Sequence, residues 1–299
     1  MGGGSLENTN ITATVQKSST FWKDSFRRLM KDKRAVWSFA TIILLVLSAI
    51  FAPLLSPHDP NDVFFDAILV GSSMRFPFGT DHIGRCLLSR VIHGGRISLA
   101  IGVITQFISV PIGIIIGAIA GYFGKFVDMV LSRFMDVMLA FPSLIFSLAI
   151  LAILGPGLFN LYIALGLLGW VGTARLVRGQ IMQLKELEYI EAARASGASA
   201  YWNITKHLIP NCLPMIIISV SLGIPNTIMA EVALSFIGLG VQPPIASWGS
   251  MINQARPFIR QMPMFSLYPG IAVMLVVFSF NMFGDCLRDV LDPRLKDER

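Results

Sequence analysis

Four histidines, three cysteines and eighteen carboxylates are the side chains from which a reactive site could be assembled in this chain of 299 residues. Their spacing argues against most of the chemistry such groups perform. His58, His82, His93 and His207 form no i,i+4 pair, so no H-E-x-x-H zinc helix is present, and neither is G-x-x-x-x-G-K-[ST] nor G-x-S-x-G. Asp81-His82 and His93 could in principle hold a metal ion. No cysteine or carboxylate cluster completes a ligand set, however, and a hydrogen-bonding role in a loop is the expectation. Cys86, Cys212 and Cys286 lie far apart without metal-ligand spacing, and no disulfide is expected. The expectation is a chain that is no enzyme and holds neither cofactor nor metal of its own.

A different kind of site is written between residues 188 and 211. Glu191-Ala192-Ala193 begins a short helix of small side chains, and Gly197, followed by Ala198, permits a sharp turn or a close backbone approach. Such an element is shaped to sit in a groove of another protein. The plainer alternative is an ordinary amphipathic loop helix, because Glu-Ala-Ala alone is common.

The elements that must carry this segment follow from composition. The chain is 54% apolar and only 14% charged, against about 25% charged in a soluble domain, and its mean hydropathy is +0.66. That excludes disordered, collagen-like and disulfide-rich secreted classes and points to an integral membrane protein. The net charge of +6 does not signal nucleic acid, since Lys17, Lys23, Arg27, Arg28, Lys31, Lys33 and Arg34 crowd ahead of the first apolar run as a cytoplasmic flank does. No cleaved signal peptide is expected, and residues 2–19 read as a disordered tail.

Apolar runs of spanning length fall at 36–55, 97–121, 127–154, 158–177, 209–239 and 265–284. Six spans place both termini on one side. With that side inside, eighteen Lys and Arg are cytoplasmic and six are not, which predicts an N-in, C-in protein. Over 21–37, Trp22, Phe26, Met30 and Trp37 share one helical face opposite basic residues, as in a helix lying in the inner interface. Residues 56–96, rich in Gly and Pro, read as an extracytoplasmic loop or lid, and 238–263 as a second outer segment. Gly113, Gly117 and Gly121 recur every four residues, a stripe for close helix packing. Asp128, Arg133 and Asp136 lie in the inner part of the third span, where Arg133 and Asp136 can pair three residues apart.

The segment from Glu191 resembles the E-A-A-x(3)-G-x(9)-I-x-L-P signature of permease subunits of ATP-binding-cassette (ABC) importers. Glu191, Ala192, Ala193, Gly197 and Pro210 match; His207 stands where the pattern has Ile, as is usual in the peptide/nickel branch, and Ile209 where it has Leu. Other stretches resemble the same branch along nearly the whole chain after residue 20. They include Phe78-Gly79-Thr80-Asp81-His82-Ile83-Gly84-Arg85, Ala140-Phe141-Pro142-Ser143 and Leu234-Ser235-Phe236-Ile237-Gly238-Leu239-Gly240-Val241-Gln242-Pro243-Pro244 with Ser247-Trp248-Gly249. Leu287-Arg288-Asp289 then leads to Leu291-Asp292-Pro293-Arg294. The resemblance is to the C-type permease of di- and oligopeptide importers.

That resemblance implies an all-α membrane protein of type I ABC importer permease architecture. Its parts would be a tail and interfacial helix (1–35), a first span (36–55), an outer loop (56–96), a five-helix core (97–286) with a coupling loop at 180–207, and a cytoplasmic end (287–299). The partners implied are a homologous permease, two cytoplasmic ABC ATPases holding ATP and magnesium, an extracytoplasmic substrate-binding protein, and membrane lipid, in a bacterial or archaeal cell membrane. Glu191, Ala192, Ala193, Gly197 and Ala198 would meet an ATPase, with Glu191 either pairing with a basic group there or capping its own helix. Glu231, about 20 residues past Pro210, would lie in the outer half of the fifth span. It would face the translocation path with Ser235 and Phe236, or else pair with the partner permease. Asp81, Arg85, Gln242 and Trp248 would face the binding protein. The cargo expected is short peptides; nickel, metallophore, glutathione or opines are the alternative within the class. A secondary transporter or channel, the alternative of another class, would need a coupling-ion site and an internal repeat, and neither is visible.

Overall fold

The computed structural model describes residues 18–291; the tail up to residue 17, the side chains of residues 18–22 (Trp22 among them) and the ending from Asp292 lie outside the described residues. Apolar periodicity becomes helix along nearly all of the described chain. In order, the helices are α1 (Ser18–Leu29), α2 (Lys33–Ile50), α3 (Ala52–Leu55), α4 (Leu87–Phe123), α5 (Lys125–Ala140), α6 (Ser143–Leu154), α7 (Leu158–Leu184), α8 (Glu188–Ala195), α9 (Ala200–Trp202), α10 (Ile209–Phe236), α11 (Trp248–Ala255) and α12 (Pro263–Leu291). A π-helical turn, Asn203–Leu208, joins α9 to α10, and a 3-10 turn, Arg256–Phe258, follows α11. Among the described residues there is no strand, only one isolated bridge between Thr80 and Cys86. Five helical stretches are long and apolar enough to cross a membrane, six if α5 and α6 count as one.

That qualification corrects the reading of 127–154 as a single continuous span. Pro142 has no N–H to extend α5, and its ring drives Phe141 out of the helical region to φ −95°, ψ 135°. The two helices therefore meet at a bend of 84°. The helix expected over 21–37 is likewise two. Asp32 accepts the backbone N–H of Arg34 at 2.8 Å and starts α2 afresh. The Arg34 guanidinium and this N–H hold the Asp32 carboxyl below the usual range. The outer loop ends earlier than expected: α4 begins at Leu87, and Gly94 and Gly95 are helical. Their missing side chains make the seat for Trp248, since a Cβ on Gly95 would stand 2.8 Å from the indole.

At the centre α4 runs for 37 residues, about 55 Å at 1.5 Å per residue, parallel to α7. Here the glycine stripe is a seam. A Cβ on Gly113 would lie 2.8 Å from the Trp170 carbonyl oxygen, one on Gly117 2.4 Å from that of Ala174, and one on Gly121 2.8 Å from that of Arg178. Three carbonyls one turn apart on α7 thus rest on three glycines one turn apart on α4. Lys185, at the end of α7, closes the seam by donating to the Gly121 carbonyl at 3.0 Å. Around it, α10 and α12 pack through Ile224, Ile228 and Val276, with Leu99 of α4 and Ala49 of α2. Cys86, Cys212 and Cys286 are separately buried.

The seam predicts a sharp asymmetry between glycines. Gly117→Val should cost about 1–3 kcal/mol as an overpacked contact and lower the apparent melting temperature of the detergent-solubilised protein. Gly179→Ala, where an added Cβ meets nothing within 4 Å, should leave it unchanged or slightly raised. Equal melting of the two variants would contradict the seam.

Candidate functional site

One face of α7 is given to the seam, and the face bordering it opens into a cleft. Its walls are α6, α7 and α10, and it encloses about 630 Å³. Gly169 and Gly172 on α7 and Gly223 on α10 create the room; a Cβ on Gly172 would meet nothing within 4 Å. Along α10 the lining runs from Met215 to Leu234, roughly 28 Å at 1.5 Å per residue. Its polar groups are neutral. Gln106 donates to the Thr227 hydroxyl at 3.2 Å, the Thr173 and Ser219 hydroxyls lie 3.3 Å apart, and Ser143, Ser147 and Asn226 add further donors and acceptors. Arg288 of α12 is the one ionised group among the lining residues. Such a wall can solvate a polar solute without gripping it. Sequence reading missed these residues, although Ser219, Gly223, Asn226 and Ala230 recur at helical spacing.

Glu231, Ser235 and Phe236 do not line this cleft. Glu231 is fully buried on another face of α10, where one carboxylate oxygen accepts the Ser235 hydroxyl at 2.7 Å and the Ser247 hydroxyl at 2.8 Å. Ser247 in turn caps α11 through a reciprocal pair with Ser250. Gly240 and Gly249 are pressed against Ser235, and a Cβ on Gly249 would lie 2.9 Å from the carboxylate. The carboxylate is thus a clasp between α10 and α11 rather than a path-facing group. Phe236 is exposed, with Arg256 stacked over its ring at 5.3 Å.

At the end of the bundle formed by residues 56–86 and α11, three of the four residues expected to face a binding protein, Asp81, Arg85 and Trp248, are buried. Asp81 is fully buried, accepting the Arg85 Nε at 2.7 Å and the backbone N–H groups of Ile83 and Arg85, with the buried Arg90 Nε 3.7 Å away. Arg85 also donates to Gln254 at 3.0 Å and so pins the loop to α11. Trp248 is buried, its indole N–H donating to the Val91 carbonyl at 2.9 Å and its backbone N–H to Ser98. Half-buried Gln242 braces its own turn through the Gly238 and Gly240 carbonyls. Buried charge must be paired to be tolerated, and these residues build the loop from within. What the loop presents outward is Phe65, Ile68 and Met74. His82, weighed as a metal ligand, stacks on Phe258 at 5.4 Å. Burial pushes its pKa down, and Arg85 and Arg90 add to that against Asp81.

At the opposite end, α7 passes into α8 through three residues. Ile190 is fully buried against Val177, Ile181 and Leu208, anchoring α8, and Arg194 lies 5.0 Å over the Tyr122 ring of α4. Glu188 and Glu191 sit in the first turn and Arg194 in the last, matching the helix dipole. The Glu191 side chain makes no capping bond to α8. Glu191, Ala192, Ala195 and Gly197 are exposed, while Ala193 and Ala198 are half-buried. Gly197 ends the helix at φ +87°, with the Ala198 N–H bonding the Ala193 carbonyl and the Gly197 N–H that of Arg194. That pair of bonds around a left-handed residue is the Schellman arrangement, and it is why glycine stands there. A Cβ on Gly197 would meet nothing within 4 Å among the described residues. Beyond it, Tyr201 and Trp202 are also exposed.

Comparison with known proteins agrees with this architecture. The chain is 42% identical over 275 residues, 92% of its length and 90% of the other's, to the dipeptide transport system permease protein DppC of Alkalihalophilus pseudofirmus. It is 37% identical to the glutathione transport system permease protein GsiD of Pectobacterium atrosepticum (93% of this chain, 92% of that one). To the oligopeptide transport system permease protein OppC of Haemophilus influenzae it is 38% identical, covering 92% and 89%. In fold it is similar to the inward-facing MetNI methionine ABC transporter, with a TM-score of 0.54 at 19% identity over 68% of this chain and 97% of that one. Residues 20–71 match the N-terminal TM domain of oligopeptide transport permease C. With residues 113–297 matching the binding-protein-dependent transport system inner membrane component, this chain belongs to that family of multi-pass membrane permeases, in its dipeptide and oligopeptide branch.

Proposed function

We propose that this chain is the permease subunit of an ATP-driven, binding-protein-dependent importer of di- and oligopeptides, in a bacterial or archaeal cell membrane. The observation that carries the reading is the cleft, whose neutral lining extends along α10 from Met215 to Leu234, close to the roughly 30 Å of a hydrocarbon core. A homologous permease would close the other wall. Six spans with both termini inside, α5 and α6 together making the third, agree with the excess of Lys and Arg beside α8 and the termini. The end with residues 56–86 then faces outward, where a binding protein delivers cargo.

Two ATPase subunits dock from inside, one of them on Glu191, Ala192, Ala193, Gly197 and Ala198. ATP and magnesium belong to those subunits, and this chain supplies no hydrolytic group. Because α8 follows α7 directly and reaches α10 through the π turn, movement of α8 tilts both walls of the cleft, which is alternating access by rigid transmission. The relation to a glutathione permease supports a second cargo, glutathione, for the same path.

Three measurements test the reading. Tagged protein purified from native membranes in mild detergent should bring with it a homologous permease and two ATPases; a lone chain or a homo-oligomer would overturn the importer. Gly197→Asp should reduce peptide uptake more than tenfold by blocking the docking face. Gly197→Ala, which carries the backbone strain alone, about 1 kcal/mol, should fall much less, and equal losses would remove the docking role. Gly172→Phe should assemble normally and cut uptake by a similar factor, and undiminished uptake would show that cargo does not pass through the cleft.

A further inference from the structure

We infer that Arg288 is the group that receives the carboxylate end of the cargo at the inner mouth of the cleft. The inference rests on the peptide-importer reading. Every other residue lining the cleft is apolar or neutral, and Arg288 stands where α12 meets the Met215, Ile218 and Leu222 stretch of α10. It is exposed, and among the described residues it makes no ion pair. The neighbouring carboxylates on α12 do not neutralise it: Asp289 lies 3.9 Å from Arg34, and Asp285 is outside ion-pair distance of Arg288. A solute descending the neutral ladder from Ser147 to Ser219 therefore meets its first full charge here, and that charge is positive.

A guanidinium offers two parallel N–H donors matched to a carboxylate, a geometry no neutral group in the cleft provides. A peptide or any other solute ending in a carboxylate is held by it, and one capped as an amide is not. The peptide's ammonium end finds no partner in this half of the cleft. Arg288 is thus a specificity-determining residue, selecting for the acid terminus and orienting the cargo acid-first towards the cytoplasm.

The test uses the purified, nucleotide-free complex of this chain with its partner permease and ATPases. Equilibrium dialysis of radiolabelled dialanine is challenged with unlabelled dialanine, N-acetyl-dialanine and dialanine amide. The two free acids should compete about equally and the amide about tenfold more weakly, the size of one charge-assisted hydrogen-bonded pair. Arg288→Gln should abolish that preference, and Arg288→Lys should keep most of it. A wild-type complex without saturable binding or without preference for the acids would overturn the inference, as would a preference that survives in Arg288→Gln. So would loss of the ATPases from the Arg288→Gln complex, which would make the residue a docking contact. Proteoliposome uptake of dialanine, driven by ATP and the binding protein, separates the two readings. Uptake without acid preference removes only the role of Arg288, whereas no uptake removes the peptide importer itself.

Discussion

The contact on which the rest depends is the backbone-to-backbone seam between α4 and α7. Lipid tails are as apolar as leucine, so two helices in a bilayer gain little by burying apolar side chains against each other; they gain by approaching closely. Gly113, Gly117 and Gly121 allow the carbonyls of Trp170, Ala174 and Arg178 to sit where side chains would otherwise be. With that face of α7 fixed, Gly172 and Leu176 look into the cleft, and Gly169 and Thr173 stand at its edge beside α4. The same seam carries the end of α7 to the end of α4, where Lys185, Tyr122 and Arg194 hold α8 in place.

The two ends of the bundle are built on different physics. At the end with residues 56–86, charge is taken inside and paired, Asp81 against Arg85 and Arg90, while the buried Glu231 carboxyl accepts two serine hydroxyls. Removing one member of such a set would strand a buried ion, at a cost of several kcal/mol, so the loop and α11 are tied firmly to α4 and α10. At the α8 end the surface is made of small side chains and the left-handed Gly197, with the anchoring residue Ile190 pointing inward. None of the described residues covers that surface.

Charge in the membrane-spanning part follows the same rule of pairing. Asp128 is held by Arg178 at 2.7 Å, and Asp136 by Arg175 more closely than by Arg133, which lies 3.7 Å away. The intrahelical pair expected from the i,i+3 spacing is present but secondary to a bond across to α7. The cleft itself is left without carboxylates, and only Arg288 breaks its neutrality.

Much was legible in the sequence because it depends on local chemistry. Composition alone pointed to a membrane protein, the four-residue period of glycines offered a stripe for close helix packing, and Gly197 after a short Glu-Ala-Ala helix permitted a sharp turn; each is a property of adjacent residues. The break at Phe141-Pro142 is just as local, since proline lacks an N–H, but the unbroken hydropathy of 127–154 concealed it. What the sequence could not decide was which polar side chains face the cleft. Glu231 and Asn226 lie five residues apart on one apolar helix, and their opposite fates depend on Ser247 and Gly249, which arrive from another segment. Asp81 and Arg85 read as surface charges in a polar loop, and only the folding of that loop around them buries the pair. A side chain's type is a local fact, but its burial is set by whatever the tertiary fold brings against it.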